Sequence, residues 1–152
     1  MTISVWVASG KDRFGEQRGL GISVIDFKVV AHDNDALFVL ENTFHAKGGP
    51  ARHLHHEQDE WFYVLEGEFI FEIGPEKFSL QPGDSLLAPR KVPHVWAHIG
   101  ATRGRILITF TPAGKMEAFF REVTKANAMP PQDPMLWRAH GMELLGSPLV
   151  VA

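Results

Sequence analysis

The sequence predicts an all-β barrel in a single domain with a helical C-terminal extension, and three observations predict it. From about residue 19 to residue 110 the chain is a series of short β-rich runs broken by turn residues, the spacing of a sandwich or barrel. No helical periodicity interrupts that stretch. After Pro112 the pattern changes: Met116, Phe119, Phe120 and Val123 fall at i, i+3, i+4, i+7, an apolar stripe of helical period. The barrel core is therefore expected over about 19–112 and the extension over about 113–152, both within one domain, 1–152.

Taken in order, the expected strands are 21–30, 36–43, 52–56, 60–65, 68–73, 77–80, 85–88, 94–98 and 105–110. Glu66-Gly67 and Gly74-Pro75 read as hairpin turns and Gln81-Pro82-Gly83-Asp84 as a tight turn, so the strands are expected to be sequential antiparallel neighbours. The helical stripe is expected to be core, packed on the outside of the barrel. Three prolines between Asn127 and Pro134 stop that helix. A short helical turn near 135–140 should follow, with Gly141 at its end and the tail docked.

Composition bounds the function. The 152 residues are 45% apolar and include eleven Phe and four Trp, enough to enclose a core. A formal charge of −3 without a basic run gives no footprint for nucleic acid or anionic membrane. No segment approaches the roughly 18 apolar residues of a spanning helix, and the N-terminus lacks a basic head followed by an apolar stretch. The expectation is a cytoplasmic protein with a small-molecule substrate and neither nucleic acid nor membrane as partner. With no cysteine, any metal must be held by nitrogen and oxygen.

The informative stretch runs from Gly49 through His53, His55, His56, Glu57 and Glu60 to Gly67. In a strand, side chains two apart share a face, so the imidazoles of His53 and His55 can converge on one ion. If the chain turns at 57–59 and returns as an adjacent strand, Glu60 brings a carboxylate to the same point. Glu57 is the rival, because strict alternation would place it with the two histidines. The register implied by Gly67 favours Glu60. His94 supplies the fourth group. Three imidazoles and a carboxylate suit Fe, Mn, Ni, Zn or Cu and leave an octahedral ion two open positions. With eight His and eleven Glu, a shuffled chain would show His-x-His-x4-Glu about 0.03 times, and with both glycines about 0.0003 times, so the pattern is not accidental.

On these residues the chain resembles the cupins. Their first motif is matched by Gly49, His53, His55, Glu60 and Gly67. Their second is matched by Gly83, Pro89 and His94, with Lys91 where the family usually has Gly and His98 where it usually has Asn. The resemblance implies a double-stranded β-helix, a jelly-roll-like barrel, holding one divalent transition metal ion (Fe, Mn, Ni or Zn) on His53, His55, Glu60 and His94. The tail resembles the extension of single-domain cupins similar to quercetin dioxygenase. That likeness implies a metal-dependent dioxygenase of a small oxygen-chelating enol or aromatic molecule, in which Glu60 is both ligand and general base.

Other readings stand beside it. The same metal could serve an isomerase, decarboxylase or lyase without dioxygen, or the barrel could be a non-catalytic binding module. His98, on the strand face of His94 and Trp96, is expected to orient a ligand, to touch substrate or to be a satisfied interior histidine. Trp96, Phe62 and Phe71 are expected to line an apolar pocket or fill the core. His56 should face away from the site. A homodimer is expected, with the strand over 21–30 the first interface to test.

Overall fold

Strand alternation places one apolar face of each run inward, and two such faces bury each other. The computed structural model describes residues 3–34 and 36–152. Among them the strands are β1 (Ser23–Val29), β2 (Phe38–Phe44), β3 (His53–His55), β4 (Asp59–Glu66), β5 (Phe69–Ile73), β6 (Glu76–Leu80), β7 (Ser85–Ala88), β8 (His94–His98), β9 (Gly104–Thr111) and β10 (Met142–Leu144). The helices are α1 (Ala31–Asn34), α2 (Met116–Val123) and α3 (Pro134–Ala139), with a 3-10 turn at Thr124–Ala126. All the expected strands form, within a residue or two at most ends. The single turn of α1 falls where no helix was expected; Asn34 ties it by accepting from the amides of Ala36 and Leu37.

The strands form two five-stranded antiparallel sheets, β1-β2-β9-β4-β7 and β10-β3-β8-β5-β6. This two-sheet barrel is the expected jelly-roll-like architecture, but its pairing corrects the expectation of sequential neighbours. Only β1/β2 and β5/β6 are consecutive strands that pair; elsewhere from β2 to β9 the chain passes between the sheets. Gly74-Pro75 is a true hairpin turn, closing Ile73 against Glu76. Glu66-Gly67 is a crossover from one sheet to the other. Gly67 sits at φ 85, and a Cβ there would come within 2.9 Å of Gly104 Cα, so both conformation and space require glycine.

Phenylalanines dominate the interior. Phe38 meets Phe27 edge-on at 5.0 Å and stacks on Phe110, while Phe62 meets Phe71 at 4.8 Å. Each buried ring removes apolar surface worth about 1.5–3 kcal/mol. The α2 stripe is buried as expected, with Met116, Phe119 and Val123 inside. It caps the barrel mouth rather than the outside wall: Phe120 lies 6.1 Å from Phe38 and 6.0 Å from Phe110.

The tail does more than dock. After α3, capped by Asp133 accepting from Met135 N–H, the chain turns at Gly141 and adds β10 to the edge of β3. At the other extreme, residues 12–20 cover the free edge of β1. Arg13 N–H donates to Phe27 O, and Ile25 N–H donates to Arg18 O. The strand first expected to pair two copies therefore already has its edge occupied by its own chain.

Two backbone positions carry tests. A Cβ on Gly49 would collide with Trp96 O and lie 2.9 Å from Ala97 Cα, so Gly49→Ala should destabilise by about 1–3 kcal/mol. Thermal unfolding checks this, and an unchanged Tm would contradict it. Lys91 adopts φ 66, a left-handed conformation that costs a non-glycine residue about 1–2 kcal/mol. Lys91→Gly should raise stability by about 0.5–1 kcal/mol once the freer unfolded chain is counted, as read from denaturant midpoints.

Candidate metal centre

The site is assembled from both sheets. On β3, His53 and His55 face inward and Leu54 outward, the alternation that the two-residue spacing predicts. His94, the first residue of β8, stands directly opposite His53 across the antiparallel pair. Glu60 comes from the other sheet, where it is in register with Phe110 of β9 and Ala88 of β7. It does not arrive on a hairpin partner of β3, as expected, but from across the barrel. Glu57 is exposed and takes no part.

The four side chains are each at least 95% buried, and their candidate ligand atoms all lie within 4.8 Å of one another. The imidazole centroids of His53 and His94 are 4.4 Å apart, and the rings of His55 and His94 are nearly parallel at 5.5 Å. Glu60 Oε1 is 3.0 Å from His55 Nε2 and 3.1 Å from His94 Nε2.

Each ring is turned by its outer nitrogen. His53 Nδ1–H donates to Ala51 O at 2.7 Å, His55 Nδ1–H to Gln58 Oε1 at 3.2 Å, and His94 Nδ1–H, weakly, to Val92 O at 3.4 Å. Because all three partners are oxygen acceptors, the network assigns the proton to Nδ1 and leaves Nε2 as the inward nitrogen. Gln58 is itself fixed, donating from Nε2 to Pro112 O and Ala113 O. The turn at 89–93 is held by Lys91 N–H donating to His55 O.

These bonds decide the electrostatics. With Nδ1–H pointing outward, neutral rings present lone pairs to Glu60 Oε1 at hydrogen-bonding distance, and acceptors so placed repel. The space between them requires positive charge, either a second proton on a ring or a cation. His55 Nε2 is buried and too poorly aligned on Glu60 to bond to it. Burial alone would push the Glu60 carboxyl up, but once a second ring proton fills that space, His55 and His94 as charged partners outweigh burial and hold the carboxyl below its ordinary 4.5, with His94 Nε2 3.1 Å from Glu60 Oε1. Burial, then the charges of His94 and His55, push His53 well below its ordinary 6.5.

This donor set fits a divalent transition metal. Three imidazole nitrogens and one carboxylate oxygen suit such ions, and ligands about 2.1 Å from a shared ion lie about 3–4 Å from one another. His53, His55, Glu60 and His94 could thus hold a metal ion together.

A cavity of about 50 Å³ adjoins the cluster. Its walls include His53, His55, Glu60, Trp96, Phe110 and the α2 residues Met116, Phe119 and Phe120. Trp96 forms part of its wall. Phe62 and Phe71 do not reach the wall: they back Trp96, at 5.5 and 5.7 Å between centroids. His98 lies four residues along β8 from His94, about 13 Å away along the strand. Its Nδ1–H donates to Ala46 O, and its ring packs on Phe44 and Phe69, apart from the cluster. His56 is on the surface, facing Glu143 at 3.3 Å. The sequence reading missed Gln58, Asn42 and Trp137. Trp137 packs 5.0 Å from His53 and donates from Nε1 to Pro131 O. No periodicity marks any of them: Gln58 lies between strands although it bonds His55 three residues away, Asn42 interrupts an apolar face, and Trp137 reaches His53 from the tail.

Comparison with known proteins agrees with this geometry. Residues 40–110, which carry all four clustered side chains, match the family described as Cupin domain. That match covers just under half of the chain, and the two-sheet barrel is cupin-like in fold. A 60-residue stretch, 40% of this chain, is 35% identical to the uncharacterized protein MJ1618 of Methanocaldococcus jannaschii and spans about half of that relative, 48%. The fold is shared with KdgF from Halomonas sp., at TM-score 0.61 and 21% identity over 73% of this chain and 94% of that one. It is also shared with the polyketide cyclase RemF from Streptomyces resistomycificus, at TM-score 0.59 and 19% identity over 72% of this chain and 80% of that one. No helix among the described residues is long and apolar enough to cross a membrane.

The folded metal-free protein keeps His53 neutral where the unfolded chain, with its ring near 6.5, takes up a proton. Its contribution is therefore complete above about pH 6.5 and is lost as pH falls below it. Glu60 adds a loss in the same direction as pH falls below 4.5. Calorimetry of the metal-free protein should show Tm falling between pH 7.5 and 5.5; a flat Tm would contradict this. His94→Ala should cut metal affinity about 10–100-fold or more with the β-sheet circular dichroism retained, as titration with Zn2+ would show.

Proposed function

We propose that the barrel is a metal-dependent dioxygenase acting on a small oxygen-chelating molecule, an enol or an aromatic. The observation that carries this reading is the convergence of four buried donors beside an apolar cavity. A divalent ion held there would supply a Lewis acid with coordination positions left for substrate oxygen and dioxygen. The chain supplies the rest. Leu40, Ile108, Phe110, Met116 and Phe119 exclude water from the substrate's apolar body. The outward Nδ1–H bonds keep the imidazoles oriented through turnover.

Glu60 is the group placed to take a proton. It lines the cavity, and with its carboxyl held far below the usual range it is ionised at neutral pH. A divalent ion held by the cluster would make a bound enol or phenol a stronger acid, and Glu60 would be the carboxylate placed to accept its proton, the substrate O–H bond breaking as an O–H bond forms on Glu60. The cavity, large enough for on the order of four waters, selects small ligands unless the wall of α2 and residues 129–137 moves aside.

A second reading keeps the metal and the Glu60 base but dispenses with dioxygen, in isomerase, decarboxylase or lyase chemistry. The sharing of this fold by a polyketide cyclase favours considering it. Dioxygen uptake separates the two. Metal analysis of tag-free protein should find close to one transition metal per chain. An oxygen electrode should then record consumption by the metal-loaded protein with an enol or catechol panel; turnover of any of these without oxygen uptake would select the second reading. Glu60→Gln should lower turnover by about 100-fold or more, impairing turnover more than folding, and full activity would exclude the proton-accepting role.

A further inference from the structure

The cavity has polar walls in two places, and the His-Glu cluster accounts for only one of them. The other is Asn42, on the inner face of β2 between Leu40 and Phe44, where alternation calls for an apolar side chain. Its cross-strand partners are Ile25 on β1 and Ile106 on β9, both buried and apolar. Asn42 is 5% exposed and lines the cavity, and its Oδ1 is buried with no hydrogen-bond partner. Ser23, buried and lining the same wall, is its diagonal neighbour through the Ser23–Phe44 pair. A buried amide oxygen left unpaired costs stability, so its placement points to a donor that arrives with something else.

The position relative to the cluster is set by register. Glu60 is aligned through Phe110 with Phe38, and Asn42 lies four residues further along β2, about 13 Å in the strand direction. The intervening wall is apolar: Leu40 and Ile108 on one sheet, Trp96 on the other. A molecule touching both ends would be polar, apolar and polar in turn.

We propose that Asn42, with Ser23 beside it, is a specificity-determining subsite that accepts a hydrogen bond from the far end of the ligand. The substrate class is a slender molecule with chelating oxygens at His53, His55, Glu60 and His94, an apolar middle, and a terminal O–H or N–H at Asn42, admitted as the wall of α2 and residues 129–137 moves aside from the small closed cavity. This rests on reading the cluster as a metal site, and the test keeps the two apart.

The variant is Asn42→Leu, close in volume and unable to accept a hydrogen bond. In the metal-free protein it should raise Tm by about 2–4 °C, because it removes an unpaired buried oxygen. A fall in Tm would mean that Asn42 has a structural role and would overturn the proposal. The probes are hydroxamic acids with chains of three to six carbons, ending in either a methyl or a hydroxyl group. Calorimetric titration compares them on wild type and variant, both zinc-loaded and metal-free. At one chain length the hydroxyl-ended probe should bind wild type about 10-fold tighter than its methyl counterpart, and Asn42→Leu should abolish that preference. No preference at any length, or a preference that survives the substitution, would refute the subsite. If zinc does not strengthen hydroxamate binding, the metal reading fails instead. The Tm shift and the hydroxyl preference in metal-free protein then decide Asn42 by themselves.

Discussion

Buried acceptors facing one another across about 3 Å are the constraint on which this protein is organised. Three imidazoles have their outer nitrogens committed to Ala51 O, Gln58 Oε1 and Val92 O, and their inner nitrogens surround a carboxylate. Such a cluster is stable only with positive charge at its centre. The demand extends outward, since the donors come from both sheets and the sandwich must close for them to meet. Gly49, pressed against the backbone of β8 just before β3, sets how near those strands approach. Gln58, tied to Pro112 and Ala113, links the orientation of His55 to the end of β9.

What the sequence made legible follows from the range of the interactions involved. The His53/His55 pair could be read because strand period is local: two residues apart on a strand is one face, whatever the strand pairs with. The α2 stripe was legible for the same reason. The sheet order was not, because β4 pairs with β7 and β9 and β3 with β8 and β10, all through contacts that no turn signal announces. Gly67 reads like a hairpin glycine, yet its positive φ serves a crossover. The choice of Glu60 over Glu57 illustrates the limit: the residue in the cluster is the expected one, but it reaches there from the opposite sheet. Lys91 shows the converse. A cupin-like glycine position holds lysine here, and the backbone keeps the left-handed conformation regardless.

The tail shows why apolar content alone does not reveal a role. Trp137 and Met142 are visible in the sequence as apolar residues after a proline-rich break, which suggests docking and nothing more. In the fold, Trp137 packs on His53, Met142 sits opposite His55 through β10, and both line the cavity. Together with α2 they turn an open barrel mouth into an enclosed wall. The extension is therefore part of the site's environment, although it lies wholly outside the segment matching the Cupin domain family.

Enclosure and electrostatics reinforce each other. Water that entered freely beside Glu60 and the imidazoles would screen their interaction and supply protons and hydrogen bonds of its own. Phe110, Met116, Phe119 and Trp137 prevent that, so the cluster's need for a cation is expressed at nearly full strength. The same low-polarity wall makes Asn42 conspicuous, because an amide oxygen that would go unnoticed at a wet surface is unsatisfied there. A cavity apolar along most of its length, with polar groups confined to its ends, discriminates ligands by where their polar atoms fall rather than by total affinity. Length and end-group chemistry are thus the properties to which this site is built to respond.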